Sequence, residues 1–218
     1  MVEIKEIESK KGTRTKPEVP EKIKNKIFPV ILRLFSNNDF HQVKLRTIIK
    51  ESALSAGTIY KYFSSKEDIV FYTLEKKIEV IHHRIQEHVQ GLRNEKEIVR
   101  KIFWETLDYY DKNPQLAVVA FITVPMQTWM QQASYPGASL KKILAEILNT
   151  LKESGGVDNR IDVRLFQDIY YMICYRYIQT WYYFGMKWKL VDAVYNDFDV
   201  LWKMLAKEKK HFDTSRAI

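Results

Sequence analysis

Residues 42–67 read QVKLRTIIKESALSAGTIYKYFSSKE, and the pattern is that of two short amphipathic helices joined by a tight turn. In the first, Val43, Leu45, Ile48 and Ile49 supply an apolar face, while Lys44, Arg46, Thr47 and Lys50 point elsewhere. In the second, Leu54, Ile59 and Phe63 can pack inward, and Ser55, Ala56, Gly57 and Thr58 between them are small or hydroxylated. Such a helix suits a DNA major groove, because small side chains let the backbone approach and a threonine methyl can touch a thymine methyl. Tyr60, Lys61 and Lys66 then offer a phenol and two cations where phosphates flank the groove. Ser64 and Glu67 have the spacing of a capping box that opens a longer helix.

The match widens beyond these helices. Residues 27–70 carry Leu34-Phe35, then Phe40, then Gly57-Thr58-Ile59-Tyr60-Lys61-Tyr62-Phe63-Ser64-Ser65-Lys66-Glu67. This resembles the DNA-binding domain of TetR family transcriptional regulators, whose first helix ends in an apolar-Leu-Phe and whose helix-turn-helix ends in Gly-Thr-aromatic-Tyr-x-Tyr/His-Phe-x-Ser/Asn-Lys-Glu. The turn departs from the family: where Ala-Gly-Val-Ser is usual, this chain has Ser52-Ala53-Leu54-Ser55, so the glycine is missing. Ile49 replaces a usual alanine, and Pro29 falls inside the expected first helix, where it should kink or break it.

Charge agrees with a polyanion-binding head. The 218 residues carry a net charge of +8, and residues 1–66 hold 14 Lys+Arg against 7 Asp+Glu, whereas the remainder is almost balanced. A single cysteine, Cys174, excludes an intrachain disulfide framework and, placed among Met172, Ile173 and Tyr175, reads as an inert buried thiol. No apolar leader and no membrane-length apolar run is present, so the expectation is a cytoplasmic protein without membrane contact. With 7 Gly, 6 Pro and long segments of 3.6-residue period, the class is all-α.

In chain order, residues 1–19 form a polar arm whose Lys10, Lys11, Arg14 and Lys16 could reach a minor groove. Residues 21–81 make a three-helix DNA-binding domain with the helix-turn-helix at about 44–63, and residues 82–218 make a larger helical domain. The first helix spans 20–37. A long fourth helix carries Leu74, Ile78, Ile81, Ile85, Val89 and Leu92 at 4-3-4-4-3 spacing and joins head to body. Further helices are expected over 95–112, 114–132 with a kink at Pro125, 139–153, 162–184 and 191–209, with a turn at Tyr135-Pro136-Gly137.

The last two helices are apolar on more than one face. Phe166, Tyr177, Trp181, Phe198, Leu201, Trp202 and Leu205 are the candidates for meeting a second copy. The resemblance implies the same, a homodimer held by a four-helix interface, each head reading half of a palindrome. Trp104, Tyr110, Phe121, Met126, Trp129, Met130, Tyr171 and Tyr175 are candidates for a ring-lined effector pocket. The resemblance supports that too, since these regulators usually hold a small effector in the C-terminal domain and release DNA when it binds. Arg176 favours an acidic ligand if it faces inward and is a rim charge if it faces outward.

The predicted DNA contacts are Lys44, Arg46, Ser55, Ala56, Gly57, Thr58, Tyr60, Lys61 and Lys66, with double-stranded operator DNA as partner and repression as outcome. No cofactor and no catalytic residue is expected. Two other classes stand beside this one: a DNA-binding protein with no effector, and a di-iron carboxylate bundle enzyme. The second rests on Glu79-x-x-His82 and Glu208-x-x-His211. His82, His83 and His88 otherwise read as surface or packing residues, and Asp108 with Asp111 as a helix-end charge pair.

Overall fold

A computed structural model of the chain describes residues 17–130 and 138–207. The remaining segments, which include most of the predicted arm, the Tyr135-Pro136-Gly137 turn and Glu208 with His211, lie outside the described residues. Helices dominate what is described: α1 (Glu21–Asn37), α2 (Leu45–Ser52), α3 (Ala56–Tyr62), α4 (Lys66–Val89), α5 (Glu95–Lys112), α6 (Pro114–Val118), α7 (Met126–Met130), α8 (Ala138–Glu153), α9 (Val163–Tyr183) and α10 (Val191–Leu205). A π-helical turn, Val119–Thr123, comes directly after α6. Val157 and Ala206 form an isolated antiparallel pair that ties the α8–α9 link to the end of α10. No helix among the described residues is long and apolar enough to cross a membrane.

The head is built around one stripe of α1. Ile27, Val30, Ile31, Leu34 and Phe35 are buried, and Phe40 closes the small core against Phe35 with ring centroids 5.4 Å apart. Ile48 of α2 and Ile59 of α3 are fully buried on the same core. Pro29 does not break α1, which runs helical through it. Pro29 and Asn25 both sit on the solvent side, so the carbonyl that loses its amide partner can be hydrated instead.

The turn between α2 and α3 explains its missing glycine. Ala53 adopts φ 51° and ψ 36°, the left-handed conformation the family's glycine occupies without strain, and its N–H returns to the Lys50 carbonyl. A Cβ there costs about 1–2 kcal/mol relative to a right-handed residue, a strain this chain accepts. Ser55 caps α3 by accepting from the Thr58 amide at 3.1 Å.

The cap of α4 lies one residue further on than the spacing predicted. Ser65, not Ser64, accepts from the Asp68 amide at 3.1 Å, and Asp68 rather than Glu67 reaches back to the Ser64 amide at 2.8 Å. Two adjacent serines and two adjacent carboxylates left that register open. The stripe of α4 runs inward through Leu74, Ile81 and Ile85, with Ile78 and Val89 half-buried, but Leu92 falls beyond the helix and is exposed.

In the body, α5 returns antiparallel along α4 and α10 returns antiparallel along α5. The first pairing is marked by Arg84 with Asp108 and His88 with Glu105. The second is marked by Lys96 with Asp199 and the Leu190 amide with Asp111. The segment predicted as one kinked helix over 114–132 is divided: α6, the π-helical turn, then Val124 in extended conformation before Pro125 and α7. Buried apolar side chains form one continuous cluster from α1 to α10, so head and body share a core.

Candidate functional site

On the head, the surface left over after packing is the one the sequence assigned to DNA. Lys44, Arg46, Ser55, Ala56, Gly57, Tyr60 and Lys61 are exposed and Thr58 is half-buried. Tyr60 is 61% exposed, which for a residue of a seven-residue helix means its ring stands clear of the protein. At Gly57 an added Cβ would meet only the Ser55 hydroxyl at 3.9 Å, and the backbone there is ordinary helix. The glycine is therefore needed neither for a turn nor for internal packing, and what it provides is a bare backbone on the outer face. The Thr58 hydroxyl lies 2.8 Å from that of Ser55, so the two side chains hold each other at the start of α3. No side chain caps the start of α2, where Lys44 precedes the first turn.

Lys66 departs from the expectation. Its ammonium donates to the Phe40 carbonyl at 2.7 Å and the Val43 carbonyl at 3.0 Å, and sits 4.7 Å from the Phe40 ring centroid. Two of its three protons are committed to the chain, so it fastens the loop before α2 to the start of α4. That use competes with its predicted role as a phosphate contact.

In the body, the predicted pocket residues divide. Phe121 stacks edge-on against Tyr110 at 5.1 Å and tilts over Tyr175 at 5.9 Å. Tyr171 joins through Tyr170, which packs on Phe103. Tyr110 and Tyr170 are buried deeply enough to push both phenols well above the usual range. Tyr170 meets the Thr106 hydroxyl at 2.8 Å. Phe103, Thr106 and Tyr110 recur at helical spacing along one face of α5, a signal in the sequence that pointed to Phe103 and Thr106 as well.

The rest of the predicted set lies elsewhere. Met126 and Met130 are 61% and 80% exposed and stand outside the cluster. Trp129 packs edge-on against Phe71 of α4 at 4.8 Å, and Trp104 has Lys101 over its face at 4.4 Å. Their hydrophobicity was read correctly, but composition does not say which side of a short helix faces in. Arg176 is exposed and so is a surface charge. Burial pushes the Cys174 thiol up, in keeping with an inert side chain.

The α9–α10 candidates need correction. Phe166, Trp181, Phe198 and Leu205 are packed inside the protomer at 3% exposure or less. Trp181 also donates its indole N–H to the Trp188 carbonyl at 2.8 Å. Leu201 and Trp202 are half-buried, and Tyr177 donates to Asp197 at 2.9 Å. The apolar side chains left outward are different ones: Leu165, Met172, Tyr182 and Tyr183 on α9, and Tyr195, Val200 and Met204 on α10.

Asp108 and Asp111 are structural. Asp108 takes Arg84 at 2.6 Å and Lys112 at 2.9 Å, and Asp111 accepts the Leu190 amide at 3.1 Å. Fully buried Glu105 takes Arg84, His88 and Lys101 at 2.6, 2.6 and 3.0 Å, a cluster the sequence reading missed. His82 is buried on α4, whereas His83 is exposed. No group of three or more His, Cys, Asp or Glu able to hold a metal occurs among the described residues.

Comparison with known proteins identifies the head. Residues 27–73 match the model for bacterial regulatory proteins of the tetR family, over the helices just described. That segment therefore carries a tetR-family DNA-binding domain. The chain is 27% identical over 120 residues to the HTH-type transcriptional regulator HbdR of Aromatoleum sp. (strain CIB), a match spanning 55% of this chain and 52% of HbdR. The chain thus aligns with about half the length of that relative. It is 25% identical over 168 residues to the fatty acid metabolism regulator protein of Bacillus subtilis (strain 168), covering 76% of this chain and 86% of that one. Its fold superposes on the transcriptional regulator FadR from Bacillus subtilis, solved in complex with stearoyl-CoA, with TM-score 0.73 and 23% identity over 81% of this chain and 96% of FadR.

Proposed function

We propose that this TetR-family protein is a homodimeric repressor that holds operator DNA through α2 and α3 and lets go when the body binds a small apolar effector. The observation that carries the reading is the outer face of α3. Its exposed residues are small, hydroxylated or aromatic, with cations only at the rim, which is the composition of a base-reading surface rather than of a general basic patch. Lys44, Arg46 and Lys61 would set register on phosphates, while Thr58 and Tyr60 would read base edges. Residues 21–81 act as the head and residues 82–218 as the effector and dimer domain.

The effector would sit against the Tyr110–Phe121–Tyr175 rings, where ring faces and a few hydroxyls favour an apolar or aromatic body. The similarity to a fatty acid metabolism regulator, and to a FadR solved with stearoyl-CoA, makes a long-chain acyl thioester the first class to try. The second copy would cover the outward stripe of Leu165, Met172 and Tyr183 with Tyr195, Val200 and Met204, since an apolar face of this extent seldom stays in water.

The test is selection of duplexes from a random pool, followed by binding of the winner as a function of salt. A two-fold symmetric site bound at least about a thousandfold more tightly than scrambled duplex is the expected result. Equal affinity for both would reject the sequence-specific reading. Adding stearoyl-CoA should release the complex.

A further inference from the structure

We propose that α3 reads its half-site through thymine methyl groups, over A·T pairs, and takes no guanine there. This deepens the function proposed above and rests on its reading of α2 and α3 as the operator-binding face.

Residues 52–60 read SALSAGTIY, a run without a single charged, amide or imidazole side chain. Those are the groups that read bases through paired hydrogen bonds. Arginine or lysine takes guanine O6 and N7, asparagine or glutamine takes adenine N6 and N7, and a carboxylate takes cytosine N4. The hydroxyls in this run are already engaged. Those of Ser55 and Thr58 lie 2.8 Å apart, and the Ser55 oxygen also accepts the Thr58 amide at 3.1 Å. Exposed Tyr60 brings one hydroxyl. A single bond to a purine N7 does not tell adenine from guanine, because both carry that acceptor.

What remains for base recognition is carbon. Ala56 and Thr58 each carry a methyl, one on either side of Gly57 in the chain. Ala56 and Gly57 are exposed and Thr58 is half-buried. A Cβ at Gly57 would meet only the Ser55 hydroxyl, so the missing side chain serves no internal contact and leaves the helix backbone free to approach the base edges. The major groove offers one apolar group, the C5 methyl of thymine. A protein methyl pressed against it removes both from water. Cytosine has only hydrogen at that position, so the contact separates T·A from C·G without any hydrogen bond.

The neighbouring cations are placed for phosphates rather than bases. Lys61, in the last turn of α3, has its ammonium 5.3 Å from the Tyr62 ring centroid. Lys66 is held by the Phe40 and Val43 carbonyls. Lys44 and Arg46 belong to the start of α2. α3 therefore meets the bases with an uncharged surface, and the cations around it set its register.

Modified duplexes and the wild-type protein test this. The operator selected from a random pool is resynthesised with deoxyuridine in place of every thymine, which keeps the pairing and removes only the methyls. Burying one methyl is worth about fourfold in affinity, so losing one contact in each half-site should weaken binding by at least about fifteenfold. Replacing thymines one at a time then locates the contacts. Thr58→Ser keeps the hydroxyl that pairs with Ser55 and drops the methyl, so it should abolish the penalty at its own thymine. At that position 5-methylcytosine paired with guanine should be bound better than cytosine paired with guanine. A uracil duplex bound as tightly as the thymine duplex overturns the methyl reading. So does a uracil penalty that Thr58→Ser and Ala56→Gly both leave intact, which would assign the loss to the shape of the duplex. If no sequence is selected from the pool, the operator-binding reading itself falls and this proposal with it.

Discussion

Replacing Glu105 by glutamine is the sharpest test of how α4 is fixed to the body. Its carboxylate is fully buried and receives Arg84, His88 and Lys101, two of them from α4. Glutamine keeps the shape but removes the charge and turns one acceptor into an amide NH2 that faces donors. Breaking a buried ion pair by removing one partner costs about 3–5 kcal/mol. Arg84 is 22% exposed and keeps Asp108, and His88 is 46% exposed, so solvent and the second carboxylate recover part of the loss. We expect about 2–3 kcal/mol of destabilisation. At about 2–4 °C per kcal/mol for a chain of this size, Tm should fall by about 4–12 °C. The assay is thermal unfolding monitored by circular dichroism, with Lys76→Ala beside it. Lys76 pairs with Glu79 on the surface, both 35% exposed, and such a pair contributes about 0.5 kcal/mol. A Glu105→Gln melting curve no lower than that of Lys76→Ala would refute the buried latch.

Further consequences concern pH, DNA and assembly. Burial lowers the His82 pKa from 6.5 to about 4, so between those values the unfolded chain binds a proton that the folded one refuses. Stability from this group is complete above pH 6.5 and should decline by about 3 kcal/mol on the way to pH 4; urea unfolding at both ends should show it, and His82→Leu should flatten the slope. Lys66→Ala should lower Tm while leaving the salt dependence of operator binding intact, because its protons are on Phe40 and Val43. Lys61→Ala should do the reverse, reducing the log–log salt slope by about one, and a matching loss of slope in Lys66→Ala would return that residue to the phosphate contacts. In the proposed homodimer, Met172→Asp should shift the protein to monomer in sedimentation velocity, and an unaltered dimer would move the interface away from the outward α9 stripe.

The head was legible almost residue by residue, and the reason is local. In α1 to α3 each apolar residue has one possible inward direction, and the turn chemistry between them is short. The left-handed geometry of Ala53 was not foreseen from the turn sequence. What the sequence did not disclose were choices between chemically equal neighbours. Ser64 and Ser65 can both cap, and a lysine at the rim can serve a phosphate or a carbonyl. Lys66 went to the carbonyls because Phe40 and Val43 lie within reach only once the chain has folded. The π-helical turn was invisible for a related reason: its extra residue is imposed by the packing of α1, α5 and α9 around it, not by any local propensity.

The α9 interface is the more instructive miss, because the discriminating signal was present. Inward positions Phe166, Ile169, Tyr170, Cys174, Ile178 and Trp181 and outward positions Leu165, Met172 and Tyr183 are both apolar stripes at helical spacing. Hydrophobicity alone therefore ranks them equally, and the larger rings drew Phe166 and Trp181, which pack inside the protomer, into the interface set. Charge separates them. Asp168 and Arg176 fall on the stripe with Leu165, Met172 and Tyr183, and both are exposed. A protomer core excludes an aspartate and an arginine a helical turn or two apart unless they are paired and hydrogen-bonded within it. A symmetric seam tolerates them, because each can find its opposite on a second copy of the same helix. The uninterrupted stripe is the protomer's own core, and the stripe interrupted by charge is the one we propose for a second copy.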